Sequence, residues 1–517
     1  MNETTPHAGP SQVDAVKAIE PKSPEPELLD MDKVRIDPVW AMKVPAALAL
    51  RRQVLPFASV GGRVYVACVN ADDRSTLEAV ERSVRQPICA RAAEPNSLRR
   101  ALDRVFGAGT TAGPQSGMRV RIDPAAEMDG EGAVGVCDEL LHAAIVRQAS
   151  DIHIDPNEKE SLVRLRVDGV LEKHRMLPST VHNGVVSRLK VLGGMDIAEK
   201  RAPQDGRFTH TYGPTGQKID IRLATLPTKY GERMTVRLLA LQTESLTLER
   251  LGMSAGDLVA FSQAISKPHG LILLTGPTGS GKSTTLYAAL RRIIAEHPLN
   301  VITIEDPIEY DIAGVAQVEV DSADKVSFNK ALRSVLRHDP DVVMIGEIRD
   351  GETADVAIKA SLTGHLVFST LHTNSAASAL TRLADMGLDR FLIAATMRLA
   401  VAQRLVRRLC SHCRKPRPLT EPEALAISFP EAVGTTVYDA AGCMYCADRG
   451  YVGRLGLFEL LPFDESLARL VAEGAGEGEI VREARQRGIP RLVDDALEKL
   501  RCGETTVKEV LEAVTVW

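Results

Sequence analysis

The run Gly276-Pro277-Thr278-Gly279-Ser280-Gly281-Lys282-Ser283-Thr284 constrains this chain more than any other feature, because it satisfies G-x-x-x-x-G-K-[ST] in full. Immediately before it lies Leu271-Ile272-Leu273-Leu274-Thr275, a short apolar run of the kind a buried parallel strand requires. After it, residues 285–294 repeat their apolar positions at helical spacing. In that strand–loop–helix setting the glycines let backbone N–H groups close around phosphates at a helix N-terminus, where the dipole favours anions. Residues 276–284 are therefore the expected nucleoside triphosphate contacts. Lys282 neutralises the β- and γ-phosphates, and the Ser283 hydroxyl ligates Mg²⁺. A glycine-rich turn with a chance lysine would not be bracketed by both a strand and a helix.

The length of 517 residues suggests two to four domains at about 150 residues each. A net charge of −5 gives no global reason to expect nucleic-acid binding, and aromatics at 4% leave little material for a base-stacking surface. No apolar stretch approaches the roughly eighteen residues that a spanning helix needs. Residues 1–30 are rich in Pro, Ser and charge without an apolar core, so they read as a disordered tail and not a signal peptide. A cytosolic chain is expected, with membrane association arising through partners.

Composition then divides the chain. Residues 31–106 form a small unit with a strand at 64–69 and helical patterns at 73–84 and 97–106. Residues 107–132 mix Gly, Thr, Pro and acidic residues without a period, as a linker does. Residues 133–241 open with a helix at 136–148 and continue in alternating segments at 151–154, 162–167, 218–223 and 233–238, with a helix near 185–192 between them. That pattern predicts an α+β unit on an antiparallel sheet. Residues 242–517 carry the phosphate loop, and their apolar runs separated by helical patterns predict an α/β unit with a parallel sheet.

Within that third unit, polar residues gather where apolar runs stop. Residues 301–304 end in Glu305-Asp306-Pro307, residues 341–345 in Gly346-Glu347-Ile348-Arg349-Asp350, and residues 366–368 lead to His372. In an open α/β sheet the ligand crevice lies at the carboxyl ends of the strands. Glu305 and Glu347 are thereby expected beside Mg²⁺ and the attacking water, since phosphoryl transfer needs a metal to neutralise charge and a carboxylate to orient water. Glu305 is assigned to the water and Glu347 to the metal; the reverse assignment meets the same need. His365 and His372 flank the fourth strand and are candidates to sense the γ-phosphate or to connect the site to a neighbouring subunit.

Four of the eight cysteines form Cys410-x-x-Cys413 and Cys443-x-x-Cys446. Four thiolates with two-residue gaps suit a closed, structural Zn²⁺ site, with His412 as a possible substitute ligand. The nearby Arg404, Arg407, Arg408, Arg414 and Lys415 read as a solvated or partner-binding face. A redox dithiol would need thioredoxin-like surroundings, which are missing.

Taken together, these segments resemble the secretion ATPase superfamily, and among its members the type II secretion and type IV pilus assembly ATPases. The likeness is carried by GPTGSGKST at 276–284, TIEDPIEY at 303–310, LRHDPDVVMIGEIRDGETA at 336–354, LTGHLVFSTLHTN at 362–374 and the paired C-x-x-C. These resemble the family's Walker A, Asp box, Walker B, His box and tetracysteine motifs. SDIHIDP at 150–156, VRLRVDGVL at 163–171, RAPQDGRF at 201–208, IDIRLATLPTKYGER at 219–233 and GYVGRLGLFELL at 450–461 extend it from residue 133 to the C-terminus.

The resemblance implies a RecA-like P-loop ATPase domain at 242–517 with a tetracysteine zinc excursion at 405–450. It implies a PAS-like second unit at 133–241 and a docking domain at 31–106. It further implies a cytoplasmic homo-hexamer, with ATP held between the second and third units and completed by residues of adjoining protomers. Family arginines that approach the phosphates correspond to Arg207 and Arg222, with Arg164 and Arg166 as further candidates. The implied partner is the cytoplasmic domain of an inner-membrane platform protein, engaged through the first unit, so the protein would sit on the cytoplasmic face of that membrane. Residues 48–52 do not reproduce the motif through which some relatives bind a cyclic dinucleotide, so that ligand is not implied. Rival readings are a pilus-retraction motor and a conjugation or DNA-uptake ATPase; the acidic net charge argues against the latter.

Overall fold

The computed structural model describes residues 28–107, 130–239, 247–320 and 328–514. Most of the expected tail and linker lies outside these residues. The first sheet pairs β1 (Val54–Val60) antiparallel with β2 (Arg63–Cys68), and β2 parallel with β3 (Ile88–Ala92). Helix Pro95–Phe106 buries Leu98, Ala101, Leu102 and Val105, positions on one helical face, in the same core. Glu94 caps it by accepting from the N–H groups of Asn96 and Ser97. Leu29 is buried in this core and bridges Ala93, so the core includes a residue ahead of the expected start at 31. One leucine in a proline- and charge-rich stretch carries no period; its burial is a tertiary event.

The second sheet is wholly antiparallel, in the order β6-β5-β4-β9-β8-β7. Its strands are β4 (Asp151–Pro156), β5 (Glu160–Val167), β6 (Val170–Pro178), β7 (Gln204–Tyr212), β8 (Gln217–Thr228) and β9 (Gly231–Leu238). Ile152, Ile154, Val163, Leu165, Ile221, Leu223, Met234 and Val236 alternate onto one face and are buried with helices Gly130–Val146 and Ser179–Leu192. The first of these helices starts ahead of the expected 136 because Gly130 and Gly132 weaken the helical signal there. The opposite face carries a cross-strand row, Arg166–Asp151–Arg237–Arg222–Arg207, each residue directly opposite the next.

The third unit contains β10 (Gly270–Thr275), β11 (Val301–Glu305), β12 (Ala316–Glu319), β13 (Val342–Ile345), β14 (Leu366–Leu371), β15 (Met397–Leu409), β16 (Lys415–Pro418), β17 (Thr436–Asp439) and β18 (Tyr451–Pro462). Seven of these form one sheet in the order β12-β11-β13-β14-β10-β15-β18, parallel except for the antiparallel β15–β18 pair at one edge. Leu271 and Leu273 enter one core while Ile272 and Leu274 enter the other, so both faces are covered and the apolar run is continuous. The remaining two strands, β16 and β17, pair antiparallel between the two cysteine pairs.

A polar seam joins the units. Arg35 of the first unit lies 2.6 Å from Asp168, Arg147 of the second 2.7 Å from Asp37, and Arg449 of the third 2.7 Å from Glu172. Met444, Tyr445 and Ala447, between and beside the second cysteine pair, pack against the first unit's core. Buried pairs broken on one side lose several kcal/mol, less where a partner keeps access to water. Arg147→Ala should therefore weaken the attachment of the first unit by about 2 kcal/mol. Denaturation followed by Trp40 emission in a Trp517→Phe background should show a lower midpoint, and an unchanged midpoint would show that the pair contributes nothing.

Candidate active site

The phosphate loop follows β10 and runs into helix Lys282–Glu296. It presses against β15: a Cβ on Gly276 would fall 2.4 Å from the Gln403 carbonyl oxygen and 2.7 Å from Ser280 Oγ. Gly281, at φ +89°, would clash with the Gln403 side chain. Gln403 also accepts from Thr285 Oγ1 at 2.9 Å, bracing the first turn of the helix. Lys282 is buried, and its Nζ donates to the carbonyls of Gly276 (2.7 Å) and Pro277 (3.1 Å). Ser280 Oγ is buried without a partner among the described residues. A cradle closed to side chains at Gly276 and Gly281, with an orphaned hydroxyl and a buried ammonium, fits a bound phosphate chain.

Glu305 and Glu347 stand at the carboxyl ends of β11 and β13, but in different surroundings. Glu347 is part-exposed, contacts Arg349, and lies 3.1 Å from His372 Nε2. Its charge is felt at Lys282: burial pulls that ammonium down to about 8, Glu347 opposes the shift and Arg404 adds to it. Arg349 reaches Asp306 at 3.4 Å, tying the two strand ends together. Glu305 is buried; Oε1 accepts from Thr303 Oγ1 (2.6 Å) and Gln317 Nε2 (3.0 Å), and Oε2 accepts from the Tyr287 hydroxyl.

The second unit's arginine row arrives at the same rim within one chain. Arg222 donates to the Ile308 carbonyl at 3.1 Å, and Arg207 lies 3.4 Å from Glu319. Glu309, raised by burial, is drawn back by Arg222 and then Arg237. Arg164 and Arg166 are instead engaged by their own sheet, Arg164 with Asp155 at 2.7 Å and Arg166 with Asp151 at 3.7 Å. His365 sits before β14, at the end of the strand away from the crevice, where Nδ1 lies 2.9 Å from the Ala360 carbonyl. Arg404 does not join an exposed basic face: it is buried, with Nη1 3.1 Å from the Cβ position of Gly276 and Nη2 3.1 Å from the Asn374 carbonyl. Sequence reading missed this neighbour of the loop because it lies far along the chain. Arg407 pairs with Glu509 at 2.7 Å, and Arg414 donates to the carbonyls of Cys502 and Gly503.

Cys410, Cys413, Cys443 and Cys446 converge, with all four sulfurs within 4.8 Å of one another. Sulfurs bound to zinc at about 2.3 Å in a tetrahedron lie about 3.8 Å apart. The Cys410–Cys443, Cys443–Cys446 and Cys413–Cys446 separations are 3.8, 3.8 and 3.9 Å. The Cys410 thiol, with the N–H groups of Gly450 and Cys443, lowers the Cys446 thiol; the same contact raises Cys410, and burial raises Cys443, so one thiolate is favoured before any metal compensates the others. His412 stacks on Tyr445 and is not among the clustered ligands.

Two outcomes follow from this geometry. Phosphate binding requires the ammonium form of Lys282, so ATP affinity should fall as pH rises through about 8, by up to about tenfold per unit, with proton uptake on binding. Calorimetry in buffers of differing ionisation heat reads both, and a flat affinity from about pH 7 to 10 would remove the lysine's charge from the binding step. Chelation should raise hydrogen exchange across residues 410–450 while leaving β10 protected. Purified protein free of zinc with unchanged exchange would exclude a metal from the cysteine cluster.

The chain is similar to several known proteins. Residues 127–512 match the family described as type II/IV secretion system protein, and residues 26–112 match the MshEN domain. The type II secretion system protein E of Aeromonas hydrophila is 47% identical over 387 residues, covering 74% of this chain and 76% of that protein. The type IV pilus assembly ATPase PilB of Myxococcus xanthus is 38% identical over 504 residues, covering 94% and 88%. Among solved structures, the pilus retraction motor PilT with bound ADP superposes with a TM-score of 0.51 at 26% identity, over 72% of this chain and 96% of that one. The Legionella pneumophila ATPase DotB, at 23% identity and a TM-score of 0.54 over 72% of this chain and 94% of that one, shares the fold. The chain belongs to the type II/IV secretion system protein family and is an ATP hydrolase.

Proposed function

We propose that this protein is a homo-hexameric ATPase that drives assembly of a pseudopilus for type II secretion or of a type IV pilus. It acts through the cytoplasmic domain of an inner-membrane platform protein that docks on the first unit, and it lies peripherally on the cytoplasmic face of that membrane. The observation that carries the reading is the convergence of the phosphate loop, Glu347 with His372, and the second unit's Arg222 on one rim. Among the described residues no helix is long and apolar enough to cross a membrane, in keeping with attachment through a partner.

In this reading Lys282 and the loop N–H groups hold the triphosphate. Ser283 and Glu347 would hold Mg²⁺, which when bound neutralises phosphate charge. Glu305 orients the attacking water, and His372 keeps the Glu347 carboxylate in place. Arg207 and Arg222 offer guanidinium forks to the phosphate oxygens, a contribution of about 10³ or more in rate where such fingers have been removed. Zn²⁺ on Cys410, Cys413, Cys443 and Cys446 is structural, because four thiolates leave no open position.

A retraction motor is the second reading, favoured by the likeness to PilT. Against it stands the match to PilB, which extends over 94% of this chain.

Lys282→Ala should abolish hydrolysis. Glu305→Gln should keep ATP binding and lose turnover, whereas Glu347→Gln should raise the Mg²⁺ concentration needed for activity. Turnover assays with a Mg²⁺ titration read all three; exchange of the last two outcomes reverses the carboxylate roles, and wild-type turnover in Lys282→Ala removes the site altogether.

A further inference from the structure

Glu305 is held by a residue that stands on the phosphate loop's own helix. Tyr287 lies five residues beyond Lys282, about 7.5 Å along helix Lys282–Glu296, and its side chain is completely buried. Its hydroxyl donates to Glu305 Oε2 and accepts from the Glu309 N–H at 3.4 Å. The ring meets Tyr310 edge-on, with centroids 4.3 Å apart, and the Arg291 guanidinium lies over Tyr310 at 5.2 Å. A single phenol thus joins three pieces: the helix that begins at the phosphates, the carboxylate closing β11, and the loop that Arg222 of the second unit touches at Ile308.

The acceptor count on Glu305 gives that contact its meaning. An ionised carboxylate offers about four lone-pair sites, two on each oxygen. Thr303 and Gln317 occupy both sites on Oε1, and Tyr287 occupies one on Oε2. One site remains, and the direction in which it points is fixed by the phenol.

We infer that Tyr287 is a positioning residue for ATP hydrolysis: it turns the last acceptor site of Glu305 toward the reacting water and ties that orientation to the seating of the phosphate loop. The inference rests on the reading that Glu305 serves the water. Tyr287 is fully buried beyond the phosphate loop, with its hydroxyl on Glu305 and the Glu309 N–H, so its loss should alter the rate of the chemical step and leave nucleotide affinity in place.

Tyr287→Phe removes one oxygen from a buried ring and keeps the packing. In full-length protein with Mg²⁺ and ATP, kcat should fall tenfold or more while KM for ATP and the Kd of a non-hydrolysable ATP analogue stay within twofold. A kcat within twofold of wild type would overturn the inference, as would a parallel loss of rate and affinity, which marks a merely structural role. If Tyr287→Phe cannot be recovered folded, fluorotyrosine at position 287 decides the matter, since it retains packing and alters phenol acidity. A changed kcat at constant KM supports the positioning role, and an unchanged kcat overturns it. Glu305→Gln assayed alongside separates the two failures: wild-type turnover there sinks the reading of Glu305, whereas a dead Glu305→Gln beside a fully active Tyr287→Phe sinks only the role of Tyr287.

Discussion

The parallel register of the third sheet is the constraint on which everything else depends. Because β10, β14, β13 and β11 all run the same way, their carboxyl ends open on one rim. Thr275 and Leu371 lie opposite each other where the first two stop, and the Thr275 hydroxyl bonds the Thr373 backbone just beyond. The loop, both glutamates and His372 are all consequences of that alignment. Burial of both faces in separate cores makes it rigid, because neither face can slip without moving its side chains into the wrong core.

The second unit brings an opposite kind of order. On its uncovered face Arg237, Arg222 and Arg207 are direct cross-strand neighbours, with no acidic side chain between them in the row. Like charges placed so destabilise a sheet. Here Asp151 relieves one end of the row, and Glu309 and Glu319 of the third unit meet the rest. The row is therefore balanced partly by its own sheet and partly by acidic groups of the third unit. The sheet thus meets the ends of β11 and β12 through charge and hydrogen bonds.

Features that combine a local pattern with a local chemistry were legible in the sequence. The phosphate loop, the carboxylates after apolar runs, and the paired C-x-x-C each declare themselves within a few residues. What escaped is contact between distant stretches. Arg404 is an exposed basic residue by its neighbours in sequence, yet β15 carries it into the wall of the loop. Tyr287 is one aromatic in an amphipathic helix until β11 brings Glu305 against it. His365 and His372 look equivalent beside one apolar run, and only the direction of the strand distinguishes the crevice end from the other. Leu29 has no period at all and is known only by what covers it.

The seam between the first and second units combines paired charges, Arg35 with Asp168 and Arg147 with Asp37, with the apolar contact of Val146. An apolar joint of this kind would resist opening, because parting it exposes oily surface; an ionic one can be rehydrated on both sides. The charged part of the seam can therefore exchange its ion pairs for water, whereas the apolar contacts of Val146, Met444, Tyr445 and Ala447 hold the first unit in place. The cysteine knuckle, carried between β15 and the edge strand β18, rests on the same module through Met444, Tyr445 and Ala447, so the core of the first unit is closed in part by residues more than three hundred positions further along the chain.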